Sequence, residues 1–166
     1  MASSKHVTIY TDGSSLGNPG PGGYGAVLLY QGHRKELSGG FRRTTNNRME
    51  LLAAIEGLRA LQEPCRVTLY TDSNYLVNGI TKGWVKRWRS KGWMRNKRER
   101  ALNADLWAEL LELCEIHDVD FVWVKAHAGN EENERCDALA KEAAQAADLA
   151  ADVNYEQETM HPRAQA

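Results

Sequence analysis

Residues 7–14 read VTIYTDGS, and residues 67–74 read VTLYTDSN. Each opens with a β-branched and aromatic run that alternates apolar and polar positions, then closes on Thr-Asp and turn-forming residues. Such runs are strand signals, and the turn formers place Asp12 and Asp72 where each strand stops. Two strands of one sheet that stop at the same edge hold their carboxylates side by side. Paired carboxylates repel unless a cation lies between them, so the echo points to a divalent metal.

Outward from the first echo, residues 14–23 (SSLGNPGPGG) concentrate Gly, Asn and Pro and read as a tight loop. It lacks the Lys-Ser/Thr of a phosphate-binding loop and leads into a strand, so it reads as a turn that leaves Asn18 free to contact a nucleic acid. Residues 24–31 and about 33–41 read as two further strands, joined into a hairpin by Gln31-Gly32. From Asn47 to Leu61 the period becomes helical, with Leu51, Ala54, Ile55, Leu58 and Leu61 on one face. Asn46 or Asn47 is the expected N-cap, and Glu50 falls in the first turn.

After Asp72 come helical stretches near 74–80 and 83–90, a helix over about 103–116, a strand at 119–125 and a last helix from Glu131 to about Ala147. A helical crossover between the hairpin and the fourth strand makes strands one and four parallel neighbours of a mixed α/β sheet, with Asp12 and Asp72 at its ligand-binding edge. Residues 1–147 are expected to form one domain and residues 148–166 a polar, flexible C-terminal tail.

Three more residues are candidates by position. Glu50 can be aimed at the strand ends by the helix that carries it. His127 lies in a Gly-containing loop between a strand and a helix, where catalytic groups often sit. Asp137 lies inside the last helix, followed by small apolar residues.

The net charge of −1 conceals a division. Residues 82–100 hold nine Lys or Arg against one Glu, while the other 147 residues hold 12 basic and 21 acidic side chains. The basic stretch interleaves Trp84, Trp88 and Trp93 with cations, the pairing that grips a polyanion and gives its sugars or bases flat apolar surface. Trp84 and Trp88 are four apart and share a helix face, so packing and binding are both open to them.

Composition excludes several classes. Hydrophobic residues are 42% and charged residues 26%, as in an ordinary globular chain. No apolar run reaches the roughly 20 residues of a membrane helix, and the start shows no secretory signal. Cys65, Cys114 and Cys136 are odd in number and widely spaced, which argues against zinc or disulfides and fits a cytoplasmic protein. A pI near 6.5 gives no sign of obligate association, and a monomer is expected.

With these residues set out, the chain resembles the bacterial type 1 ribonuclease H family. The matching stretches are IYTDGSSLGNPGPGGYGAV, TTNNRMELLAAIEGL, LYTDSNYL, the Trp-rich basic segment and HAGNEENERCDALA, in family order over roughly residues 6–142. The resemblance implies a ribonuclease H-like fold, with a five-stranded mixed sheet ordered 3-2-1-4-5 and flanked by helices. It implies an endonuclease that hydrolyses the RNA strand of RNA/DNA hybrids by two-metal-ion catalysis, leaving 5′-phosphate and 3′-hydroxyl ends. Asp12, Glu50, Asp72 and Asp137 would be the ligands of two Mg²⁺ ions, or Mn²⁺, and His127 would assist water attack or product release.

The resemblance further implies that Asn18, Thr45, Asn46, Asn47, Asn74 and Asn103 line the substrate groove. Trp84, Lys86, Arg87, Trp88, Arg89 and Lys91 would form the protrusion that grips the DNA strand. Asn74 stands where the family more often has Gln, Ala126 where Gly is usual, and Asn130 where His is frequent. These departures bear on rate and substrate fit, since every acidic position is kept. Two alternatives stay open: a DNA-directed nuclease of the same fold, and a non-catalytic hybrid-binding protein.

Overall fold

A computed structural model describes residues 5–160, and in it the two echoing segments lie side by side. Strands β1 (His6–Ser15), β2 (Gly20–Tyr30) and β3 (His33–Thr44) form an antiparallel meander. Strands β4 (Arg66–Thr71) and β5 (Asp118–Trp123) add in parallel on the free side of β1, giving the order β3-β2-β1-β4-β5. This is the expected sheet. The β2–β3 turn forms as read, because Gln31 and Gly32 both take the positive φ (47° and 83°) that a two-residue hairpin requires.

Helices α1 (Asn46–Arg59) and α4 (Ala104–Ile116) lie together on one face, and α5 (Glu131–Ala144) covers β1, β2 and β3 on the other. Short helices α2 (Asn74–Thr81) and α3 (Trp84–Ser90) follow β4. The main core lies under α1 and α4, where Ile9, Leu51, Ile55, Leu58, Leu69, Trp107 and Leu110 are fully buried. A smaller cluster of Val27, Cys136 and Leu139 seats α5. Layers on both faces suit a strand such as β2, where Ala26, Val27 and Leu28 are buried in succession.

The turn of the glycine-rich stretch is narrower than the tight loop over 14–23 that its composition predicts. β1 continues through Ser15 and pairs Ser14 with Gly23 and Ser15 with Gly22, so residues 14–23 are largely hairpin. Two glycines flanking that stretch serve close packing rather than turning. A Cβ on Gly13 would sit 2.3 Å from the Met49 carbonyl carbon, and one on Gly25 would sit 2.5 Å from the Cys136 oxygen. Bare backbone on either face of the sheet therefore lets α1 and α5 press against it beside Asp12.

The expected loose tail is also corrected over its described part. Arg42 donates to the Ala150 carbonyl at 2.8 Å, Asp152 is buried, and α6 (Val153–Met160) follows against β3. Polar residues anchor this segment: Asp152 accepts from Thr44 and Arg48, and Glu156 accepts from Arg42. Hydropathy does not register such anchors. The last six residues of the expected tail, 161–166, lie outside the described residues.

Candidate active site

The parallel pairing of β1 and β4 ends at Thr11–Thr71, so the next residue of each strand, Asp12 and Asp72, stands at the same edge. β1 runs on beyond Asp12 because β2 still pairs with it, whereas Asp72 leaves the sheet for the Ser73 cap of α2. Glu50 reaches the pair from the start of α1. Its Oε1 accepts the Gly13 amide at 2.7 Å, and the same amide donates to Asp12 Oδ1 at 2.9 Å.

Ligand oxygens of Asp12, Glu50 and Asp72 all lie within 4.8 Å of one another. Asp137, in the second turn of α5, stands outside that trio and pairs with Lys141 at 3.0 Å. It is still near enough to act on Asp12. The Asp12 carboxyl, 5% exposed, is pushed up to about 8, first by burial and then by the charges of Asp72 and Asp137. Glu50 is raised well above the usual carboxylate range by burial, then by Asp12 and Asp72, while the Gly13 amide works the other way. Crowded, desolvated carboxylates of this kind either hold protons or share a cation. The donor set is all hard oxygen, which suits Mg²⁺ or Mn²⁺ and not a thiophilic metal.

Around the cluster the polar residues sort themselves. Thr45, not Asn46 or Asn47, caps α1, accepting the Arg48 amide at 3.2 Å. Asn46 is used across the site instead. Its Oδ1 accepts the Ser15 amide at 2.6 Å, and its own amide donates to Asn18 Oδ1 at 3.1 Å. Asn18 is thus tied to the start of α1 rather than free. Asn47 and Asn74 are exposed in the first turns of α1 and α2. Asn103 precedes α4 in a left-handed conformation, φ 59°, and donates to the Tyr75 hydroxyl at 3.0 Å. His127 lies exposed in the β5–α5 loop, also left-handed at φ 55°.

Helix α3 carries the first part of the basic segment, and the turns after it carry the rest. Lys86, Arg87, Arg89 and Lys91 are exposed, while Trp88 and Trp93 pack partly against the main core. Trp84 is half-buried under Lys82, whose ammonium lies 5.5 Å from the ring centroid. Packing and open cationic surface thus coexist on one short helix.

Three contributors escaped the sequence reading. Gly13 bridges two of the acidic residues by its amide. Trp123 donates its indole N–H to the Asp72 carbonyl at 3.2 Å, bracing the end of β4. Arg48 is 1% exposed and ion-paired to Asp105 and Asp152. A signal for Arg48 did exist, since a cation at 48 continues the apolar stripe 51-55-58 and so must be buried.

Comparison with known proteins agrees with this geometry. The family described as RNase H matches residues 4–145. A ribonuclease H of Syntrophus aciditrophicus is 70% identical over 151 residues, covering 91% of this chain and 87% of the relative. A ribonuclease HI of Synechocystis is 60% identical over 147 residues, covering 87% and 92%. Among solved structures, LC9-RNase H1 is 36% identical with a TM-score of 0.77, covering 87% of this chain and 74% of that one. LC11-RNase H1, solved in complex with an RNA/DNA hybrid, is 28% identical with a TM-score of 0.63, covering 83% and 96%. No helix among the described residues is long and apolar enough to cross a membrane. By sheet order, acidic edge and relatives alike, this chain belongs to the ribonuclease H family, with the bacterial type 1 enzymes.

Proposed function

We propose that this chain is an endonuclease that hydrolyses the RNA strand of RNA/DNA hybrids, leaving 5′-phosphate and 3′-hydroxyl ends. The observation that carries the reading is the trio Asp12, Glu50 and Asp72, with ligand oxygens within 4.8 Å of one another, in a chain that also carries an exposed basic helix, α3. An acidic centre cannot by itself hold a polyanion, so a separate cationic arm is the complement it needs.

Asp12, Glu50 and Asp72, with Asp137 beside them, would hold two Mg²⁺ ions, or Mn²⁺ in their place. Such ions supply a nucleophile at neutral pH and stabilise the charge on the departing 3′-oxygen. The chain's own groups do the rest. Gly13 fixes Glu50 against Asp12, and Trp123 fixes the backbone of Asp72. His127, exposed in the loop between β5 and α5, would assist water attack or product release.

Asn18, Thr45, Asn46, Asn47, Asn74 and Asn103 would read the wide minor groove, where 2′-hydroxyls distinguish RNA from DNA. Trp84, Trp88, Lys86, Arg87, Arg89 and Lys91 would hold the DNA strand. The working form would be a cytoplasmic monomer.

The test is a labelled RNA/DNA hybrid with Mg²⁺, run beside RNA/RNA, DNA/DNA and single-stranded RNA, with Asp12→Asn as control. Cleavage confined to the hybrid's RNA strand, and lost in the variant, is the expected result. Cleavage of DNA alone, or binding without cleavage in the presence of metal, would overturn it.

A further inference from the structure

We infer that Asp152, acting through Arg48, is a positioning residue for Asn103 in the substrate groove; the inference rests on the ribonuclease H reading above. Arg48 is fully buried at the start of α1, and its planar fork is filled by two carboxylates. Asp152 accepts from Nε at 2.7 Å and from Nη2 at 3.0 Å. Asp105 accepts from Nη1 at 2.9 Å and from Nη2 at 2.7 Å. The remaining reach of Nη1 goes to Asn103 Oδ1 at 3.3 Å. A guanidinium gripped twice has one orientation, and so therefore has the group it donates to.

The Asn103 amide is fixed at both ends. Its oxygen faces Arg48, and its nitrogen donates to the Tyr75 hydroxyl, which also accepts the Trp107 indole N–H at 3.0 Å. Asp152 is itself held by the Thr44 hydroxyl at 2.7 Å, at the end of β3. A continuous chain of short polar contacts thus runs from the C-terminal segment to the groove.

Charge does not explain the arrangement. One guanidinium with two carboxylates is net negative, so the cluster does not draw a polyanion toward it. What it gives the groove is geometry. Nor does it reach the groove through Glu50, which has its own tether in the Gly13 amide. Loss of Asp152 should therefore act on hybrid binding and spare the chemical step.

The experiment is a double-mutant cycle in steady-state hybrid cleavage. It uses Asp152→Asn, Asn103→Ala and the pair, at a temperature where circular dichroism shows every variant folded. Asp152→Asn is expected to raise KM roughly fivefold, the scale of one well-placed hydrogen bond, with kcat held within about twofold. In the Asn103→Ala background the same change is expected to add nothing. Effects that multiply in the pair, or an Asp152→Asn variant with unchanged KM and only a lowered Tm, would overturn the positioning role. Should Asp152→Asn fail to fold, Asp105→Asn takes its place in the cycle, because that side chain is 25% exposed and its loss leaves Arg48 one carboxylate. A wild-type protein that cleaves no hybrid would bring down the functional reading itself, an outcome distinct from either of these.

Discussion

The backbone amide of Gly13 donates to the carboxylate of Glu50 at 2.7 Å, across the gap between the first strand and the first helix. Any side chain at position 13 would strike α1, whose Glu50 nitrogen lies 2.4 Å from where the Cβ would be. The contact therefore depends on glycine for space as well as for its N–H. Gly13→Ala is expected to push α1 off the sheet edge, lowering stability by about 1–3 kcal/mol as overpacking does. It should also cut turnover on the order of a hundredfold through misplacement of Glu50. Urea unfolding and single-turnover cleavage would check the two parts separately.

Metal-free protein should be strained by its own acidic site. Asp12 binds its proton more tightly when folded than when unfolded, because burial and then Asp72 and Asp137 push it up to about 8. A raised carboxyl contributes stability at low pH that is lost as pH climbs from about 4 toward 8. In EDTA, Asp12→Asn is thus expected to raise the Tm at pH 8 by on the order of 5 °C, and much less at pH 4. Adding Mg²⁺ should raise the Tm of the wild type and not that of the variant. Thermal melts across pH with and without metal decide the matter, and a wild type indifferent to both would remove Asp12 from a metal site. Cleavage by the variant should be lost while hybrid binding persists.

Arg48 should be costly to remove. Arg48→Ala leaves Asp105 and Asp152 facing each other without a cation, a change expected to destabilise by about 3–5 kcal/mol. Burial works to raise Asp105, but the hydrogen bonds and charge of Arg48 outweigh it and hold the group below its ordinary value. A depressed carboxyl contributes stability above its unfolded pKa and loses it as pH falls through the folded one. Wild-type stability should therefore drop below about pH 4, and the Arg48→Ala variant should lack that limb in urea titrations at pH 3–5.

His117 offers a second pH-dependent limb. Its Nδ1 accepts the Cys65 amide at 3.1 Å, which requires the neutral ring, and burial lowers its pKa. A lowered histidine favours folding above its unfolded value near 6.5 and withdraws that support as pH falls below it. Replacing it with Asn, which can still accept from Cys65, should flatten the stability profile between pH 5 and 7.

On the binding side, Lys86→Ala and Arg87→Ala are each expected to weaken hybrid affinity several-fold. Each should also reduce the slope of log K against log salt by about 0.7–0.9, one phosphate contact apiece. An unchanged slope would take the exposed face of α3 out of the interface.

How much of this was legible beforehand depends on which forces are local. The Asp12–Asp72 juxtaposition could be read because two strands carry the same alternating pattern to the same stopping point. The hairpin at Gln31-Gly32 followed from turn chemistry alone. The glycine-rich stretch misled because glycine marks both turns and close backbone approach, and only the arrival of α1 and α5 decides between them. The cap of α1 fell on Thr45 because the Asn46 side chain is claimed by Ser15, a partner 31 residues away in sequence. Asp137 could be singled out only by its place in the last helix, because its approach to Asp12 depends on the missing side chain of Gly25.

The burial of Asp152 bears on where such a molecule ends. The family match stops at residue 145, yet one of the two carboxylates that hold the guanidinium in the protein's interior lies seven residues further on. Recognition by sequence and cohesion by energy thus have different borders here. A chain shortened to the recognisable part would keep every acidic residue of its centre and yet leave Arg48 with Asp105 alone, one side of its fork unfilled.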